Sequence, residues 1–128
     1  MKVETNLKEM LEAVSVPADW VGIREVYESQ TPRMIRDGVP VANGKYSTHG
    51  IMVEVLVDGQ FGYYGTPNIS KEGVDHASMN AYKQAKAASK YSVHSFSDEV
   101  RPKSIGTYNH HLSSTLKMSA QKSLTFCF

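Results

Sequence analysis

The strongest pattern in the chain is a period of two in residues 51–57, which predicts a half-buried β-strand. One side of this strand carries Ile51, Val53, Val55 and Val57, and the other carries Met52, Glu54 and Leu56. Asp58-Gly59 follows at once and supplies the two residues with positive φ that a tight hairpin turn requires. The run "QFGYYG" is therefore predicted to return antiparallel. Gly62 within it indicates a bulge, the close approach of a backbone or a ring, or simply a weak strand position.

A period near 3.6 residues predicts a first helix over residues 6–15. Its apolar face is formed by Leu7, Met10, Leu11 and Val14. Asn6 stands three residues before Glu9, as in a capping box, and Pro17 ends the helix.

A second helix is predicted after the hairpin, with Ser70 as its N-cap and Asp75 near the positive end of its dipole. Its buried stripe is predicted to contain Val74, Ala77, Ala81, Ala85 and Ala88. Because alanine side chains are small, this helix can lie close to the sheet.

Two further strands are predicted between the first helix and the hairpin. "WVGIREVYESQ" places Val21, Ile23 and Tyr27 on one face. "RMIRDG" is a shorter strand stopped by Asp37-Gly38, and the Pro40 and Asn43-Gly44 that follow indicate turns. The predicted fold class is α+β, a two-layer arrangement of an antiparallel β-sheet meander with flanking helices.

Residues beyond Ser92 lose this periodicity and are predicted to cross the surface as an extended polar segment. Leu112, Leu116 and Leu124 indicate a last helix, and the terminal "LTFCF" suggests a shortened chain.

Charge is distributed unevenly along the chain. Residues 1–82 contain seven Lys or Arg against eleven Asp or Glu, whereas residues 83–128 contain seven against two. The basic second half could indicate nucleic-acid binding, but its lysines are scattered and lack interleaved aromatics, so a solvated surface is the preferred interpretation. The polar start and the absence of a long apolar run indicate a cytoplasmic protein with no membrane span.

Candidate chemistry is sparse. None of the five histidines is followed by Glu, and His110-His111 is interpreted as a loop pair rather than a metal site. His49 could act as a base for Ser47 or Thr48, but the spacing supplies no orienting carboxylate. Cys127, the single cysteine, is interpreted as a bystander thiol. We therefore predict no catalytic, cofactor-binding or metal-binding residue in this chain.

Two segments, "IRDG" and "STHGIMVEVLVDGQFGYYGTPNISKEGVDHASMNAYKQAKAA", resemble the N-terminal domain of the TldD/PmbA family. Members of that family are called modulators of DNA gyrase and are understood as zinc metallopeptidases. The resemblance covers roughly residues 18–110 and contains no catalytic motif, so it identifies a domain more firmly than an activity. It is carried by Arg36-Asp37-Gly38, Gly50, the strand from Val53 to Val57, Asp58-Gly59, Gly62-Tyr63 and the alanines Ala81, Ala85 and Ala88.

In that family a His-Glu-x-x-x-His helix and a later cysteine hold the zinc, downstream of this first domain. The chain contains no such segment, and the ligand role is not transferred to Cys127. Glu54 also stands where the family's strand is expected to carry an arginine.

The resemblance implies that residues 1–128 form a single TldD/PmbA-type N-terminal domain, the first part of a longer or truncated protein. Such a domain would serve as scaffold, subunit interface and wall of a peptide-substrate chamber, inactive alone and without a cofactor of its own. Its expected partner is another subunit or a second copy, and a peptide substrate is a further candidate. Two alternatives remain: a free-standing interaction module that uses the hairpin edge, and, more weakly, a nucleic-acid-associated protein.

Overall fold

The predicted strands and helices correspond to elements of a computed structural model that describes residues 5–101 and 103–108. In chain order these are α1 (Leu7–Glu12), β1 (Trp20–Gln30), β2 (Arg33–Arg36), β3 (Val39–Asn43), β4 (Tyr46–Val57), β5 (Gln60–Thr66), α2 (Lys71–Ser89) and a short 3₁₀ helix (Asp98–Val100). The last helix expected around Leu112 and the terminal "LTFCF" lie outside the described residues.

The β4–β5 hairpin is the centre of the fold. Its strands pair antiparallel from Val57 with Gln60 to Ile51 with Thr66. Asp58 and Gly59 have φ values of 49° and 77°, which confirms the predicted turn with two positive-φ residues. β1 is the other hydrogen-bonded neighbour of β4, so the sheet has the order β1-β4-β5.

Both helices contribute to one hydrophobic core with the sheet. The side of β4 that begins with Ile51 is buried, as the alternation predicts, and it shares the core with Met10 of α1. The core residues are Met10, Ile51, Val53, Val55, Val57, Val74, Ala77, Ala81 and Ala85. This arrangement confirms the α+β class with antiparallel strands and flanking helices.

The caps predicted for the two helices are both present. The Asn6 side chain accepts a hydrogen bond from the Glu9 amide at 3.3 Å, and the Ser70 hydroxyl accepts one from the Gly73 amide at 3.0 Å. α1 ends at Glu12, earlier than the predicted range. Asp75 does not act through the helix dipole alone, because its carboxylate accepts hydrogen bonds from the backbone and the hydroxyl of Ser15.

Two predicted core positions are wrong. Ala88 is exposed, because the buried stripe of the helix ends one turn earlier, at Ala85. Tyr27 is 65% exposed, since the part of β1 that packs against the core is confined to Val21 and Ile23.

The segment after Asp37-Gly38 also differs from the prediction. Val39–Asn43 forms a strand, β3, that pairs antiparallel with β2, although Pro40 indicated a turn. The turn residues Asp37 and Gly38 have φ values of 50° and 76°, so they reverse the chain in the same way as the central hairpin. Pro40 is accommodated where the register shifts between Met34 and Ile35.

The described residues divide into two compact units. One comprises those within 1–27 and 49–103, and the other those within 28–48 and 104–128. The first unit contains the core and the β4–β5 hairpin, and the second contains the β2–β3 hairpin. The expectation of a single domain over residues 1–128 stays a prediction.

Candidate functional site

The side of the β4–β5 hairpin that faces away from α2 carries aromatic and charged side chains together. Because alternate strand residues point to opposite sides, this outer face consists of Met52, Glu54 and Leu56 from β4 and Phe61 and Tyr63 from β5. Glu54 lies opposite Tyr63 and Leu56 lies opposite Phe61. Met52 and Tyr63 are exposed, whereas Leu56 is buried. The outer face is therefore open at one end and covered at the other.

Residues 92–101, here called the crossing segment, provide that cover. The Phe96 amide donates to the Gly59 carbonyl at 2.9 Å, and the Gln60 side-chain amide donates to the Ser92 hydroxyl at 2.7 Å. The Phe96 ring packs on Phe61 with 5.4 Å between centroids. The polar segment predicted to cross the surface thus returns over the hairpin.

Arg101 fixes the far end of the crossing segment. Its Nη2 and Nε donate to Oε1 of Glu54 at 2.6 and 3.0 Å, and its guanidinium carbon lies 5.1 Å from the centroid of Phe61. The hydrogen bond to Glu54, with a second one to Tyr63, raises the pKa of the Arg101 guanidinium above its usual value. Arginine is charged at any ordinary pH, so Arg101 provides a fixed positive charge and Glu54 is its partner.

A cavity of about 340 Å³ opens beside this contact. Asp19, Leu56, Phe96, Ser97 and Asp98 line it. The Asp19 carboxylate already accepts a hydrogen bond from the Asp58 amide at 3.1 Å, so it also secures the hairpin turn. The lining of the cavity therefore combines two apolar side chains with two carboxylates.

The turn and the free edge of the hairpin are tied to α2. Lys86 forms an ion pair of 2.6 Å with Asp58, and the hydrogen bond and charge of this carboxylate raise the pKa of the lysine. The Gln84 side chain accepts a hydrogen bond from the Tyr63 amide at 3.3 Å. The Tyr63 N–H therefore points away from β4, toward the open edge of β5.

His49 has a carboxylate partner that the local spacing of residues in the sequence did not reveal. Its Nε2 lies 2.7 Å from Oε1 of Glu25, an oxygen that also accepts a hydrogen bond from the Thr5 hydroxyl at 2.8 Å. The Tyr27 ring packs edge-on against the imidazole, with 5.7 Å between centroids. Local spacing could not reveal this carboxylate, because it comes from β1, 24 residues earlier in the sequence.

The residues proposed as nucleophiles do not complete a catalytic triad with this pair. Glu25 orients the imidazole. The hydroxyl group that is hydrogen-bonded to the same carboxylate is that of Thr5, and it donates to Glu25 rather than to His49. Thr48 instead lines an open cavity of about 260 Å³ with Glu28, Gln30 and Tyr46. The geometry is that of a surface hydrogen-bond cluster.

A zinc centre like that of the family would need three protein ligands close together among the described residues, 5–101 and 103–108. No group of three or more His, Cys, Asp or Glu is gathered there in an arrangement that could hold a metal ion, and Glu25 with His49 provides only two ligands. The described residues therefore do not fit a zinc centre. His110-His111 and Cys127 lie outside them. Within the same residues, no helix is long and apolar enough to span a membrane.

Sequence reasoning missed the crossing segment as part of a site. Its contacts depend on Phe96 and Arg101, which meet partners more than 30 residues earlier in the chain and follow no helical or strand period. The available signal was an aromatic and an arginine in an otherwise polar segment, together with the unpaired negative charge of Glu54 in an apolar strand.

The sequence model of the family described as PmbA/TldA metallopeptidase domain 1 matches residues 21–89. The match begins in β1 and ends with the last residue of α2, so it includes the hairpin and omits α1 and the crossing segment. It covers more than half of the chain, and the chain belongs to this family, as the resemblance predicted. Comparisons with curated proteins and with solved structures gave no match.

Proposed function

We propose that this chain is a non-catalytic first domain of a PmbA/TldD-type metallopeptidase assembly, in which it provides a scaffold, a subunit interface and a wall of the peptide chamber. The observation that carries the proposal is that the family match, residues 21–89, coincides with β1 through α2. The sheet and the long helix that build most of the core therefore belong to the family's first domain, and α1 adds Met10 from outside the match. The proposal treats residues 1–128 as one domain acting in the cytoplasm.

The composition of the outer face supports an interface role. Met52 and Tyr63 are 37% and 45% exposed, beside the aromatic ring of Phe61 and the charge of Glu54. Tyrosine, phenylalanine and methionine are enriched in protein interfaces, because they bury much area at little cost in conformational entropy. A partner that covers this end of the hairpin would bury both exposed side chains.

Peptide hydrolysis is assigned to another part of the assembly. The sequence has no His-Glu-x-x-x-His segment, and the described residues do not gather a zinc ligand set. The domain's own contribution would be to hold a partner subunit and to shape the space through which a peptide passes.

The interface proposal is tested by titrating the labelled full chain with a PmbA/TldD-type peptidase subunit and following fluorescence anisotropy. Met52→Ala and Tyr63→Ala should each weaken binding by about tenfold, as expected for interface anchors. Met79→Ala is the matched control, since Met79 is 44% exposed on α2 and lies away from the outer face. Absence of binding, or equal effects of all three substitutions, would contradict the proposal.

The second candidate function, an interaction module that uses the edge of the hairpin, is favoured by one contact. β5 is the last strand of its sheet, and the outward Tyr63 amide is satisfied by the Gln84 side chain. A strand added to this edge must displace Gln84. Gln84→Ala should therefore strengthen partner binding if the edge is used, and it should leave binding unchanged if the partner covers the outer face.

A further inference from the structure

The crossing segment is attached to the outer face by two separate anchors. The first is aromatic, with Phe96 stacked on Phe61, and the ring of His94 packs edge-on against Phe96 at 4.6 Å between centroids. The second is ionic, with Arg101 held by Glu54 and lying over Phe61. A peptide with an aromatic side chain and a guanidinium five residues apart, joined by a 3₁₀ turn, is thus recognised by two side chains of one hairpin.

The receiving surface is formed without the crossing segment. Glu54 and Phe61 lie on paired strands whose opposite sides are held by the core and by α2. The matched family domain ends at residue 89, before the crossing segment begins. Both observations indicate that the surface belongs to the domain and that its occupant is an addition.

The occupant itself is held weakly. Residues 92–100 are all exposed, and their only regular structure is the short 3₁₀ helix Asp98–Val100, which contains no buried residue. The ion pair is also partly open to solvent, with the Arg101 side chain 41% exposed. Segments with few buried contacts open at low free-energy cost, so this one can be displaced while the core remains folded.

We propose that the outer face is a binding surface for peptide segments that carry an aromatic side chain and, five residues later, an arginine, and that residues 92–101 occupy it in cis as a competitor. Phe61 takes the aromatic ring, and Glu54 takes the guanidinium. A peptide of matching chemistry binds by displacing the crossing segment. This inference stands apart from the proposed function, since it requires neither a peptidase subunit nor a chamber.

The test uses the full chain carrying Phe96→Ala and Arg101→Ala, which removes both anchors in cis. The probe is a fluorescein-labelled peptide with the sequence of residues 93–101, "VHSFSDEVR", and binding is measured by anisotropy. A tethered competitor acts at a high effective concentration, so the double variant should bind the probe at least about tenfold more tightly than the unaltered chain. A probe with alanine at its aromatic and arginine positions is the peptide control.

The role of Glu54 is tested by adding a third substitution to the variant that carries Phe96→Ala and Arg101→Ala. Adding Glu54→Gln should weaken probe binding, whereas adding Met79→Ala on α2 should leave it unchanged. Equal binding of the probe by the unaltered chain and the double variant would overturn the proposal, and so would indifference to Glu54→Gln.

Two further outcomes also count against it. Loss of folding in the double variant, seen by circular dichroism, would show that the segment is part of the fold rather than a displaceable occupant. A dimer of the unaltered chain that dissociates in the double variant would show that the surface takes the same segment from a second copy.

Discussion

At the scale of single residues, two glycines set how closely other parts of the chain approach the hairpin. A Cβ at Gly62 would fall on the carbonyl oxygen of Ala81 and lie 3.0 Å from the Ala85 nitrogen, both backbone atoms of α2. The close approach of another backbone at Gly62 is confirmed, but it comes from a helix rather than from an aromatic ring of a neighbouring strand, and the pairing of β4 with β5 continues through Gly62 without a bulge. At Gly59 the backbone has a φ of 77°, and a Cβ there would also overlap the side chain of Ser95 in the crossing segment.

Gly62→Ala should lower the free energy of unfolding by about 1–3 kcal/mol, because the helix backbone must move away from the sheet to admit the methyl group. Urea denaturation measures the change. Gly65→Ala on the same strand is the control, since its Cβ would be 3.5 Å from the Met52 methyl, an ordinary contact, and its effect should stay within about 0.5 kcal/mol. Equal midpoints for both variants would mean that α2 lies farther from β5.

Gly59→Val should also destabilise the chain by about 1–3 kcal/mol, because a β-branched residue resists positive φ. Gly44→Val is the comparison, because a Cβ there meets no atom within 4 Å and the backbone does not have positive φ. A thermal melt in which the two variants unfold together would show that the turn is of another type.

At the scale of elements, α2 lies on the sheet along a stripe of small side chains that ends at Ala85. The helical period predicted the stripe correctly from Val74 onward but extended it to Ala88, because periodicity carries no information about where the underlying sheet stops. β3 was not predicted, because Pro40 was given more weight than the hairpin geometry set by Asp37-Gly38. Local patterns thus predicted the hairpin and both helices.

Local sequence patterns did not predict the contacts between distant segments. Glu25 meets His49, and Glu54 meets Arg101, across 24 and 47 residues. Neither pair has a spacing that a helix or a strand would produce. The candidate site is built from such contacts, so it could be described only from the structure.

Ala85→Leu should destabilise the chain by about 1–3 kcal/mol, since Ala85 is fully buried and its backbone nitrogen lies against Gly62. Ala88→Leu, one turn later on the same helix and exposed, should change the unfolding free energy by no more than about 0.5 kcal/mol. Chemical denaturation of the two variants checks this. A larger loss of unfolding free energy for Ala88→Leu than for Ala85→Leu would mean that the helix is rotated about its axis so that Ala88 faces the sheet.

At the scale of the whole molecule, the chain combines the first domain of a metallopeptidase family with a sequence that has no His-Glu-x-x-x-His segment. Its charge is also divided, with an acidic first part and a basic second part. Complementary charges of this kind favour head-to-tail association and weaken as salt screens them. Both features are consistent with the proposal that the chain is a component of an assembly.

The purified chain should therefore bind no stoichiometric zinc and cleave no unstructured peptide. Metal analysis by mass spectrometry after incubation with zinc and removal of the excess measures the first, and a labelled casein digest measures the second. One tightly held zinc per chain would contradict the expectation. If that zinc were lost in His49→Ala, the Glu25 and His49 pair would contribute ligands. If it stayed bound, the ligands would lie elsewhere.

The central claim, that this domain works within an assembly, is tested most directly by multi-angle light scattering of the full chain at low and high salt, alone and mixed with a PmbA/TldD-type peptidase subunit. The account predicts a mass above the 14.2 kDa of one chain, either through self-association that salt weakens or through a complex with the added subunit. A clean monomer of 14.2 kDa at high concentration in every one of these conditions would contradict it.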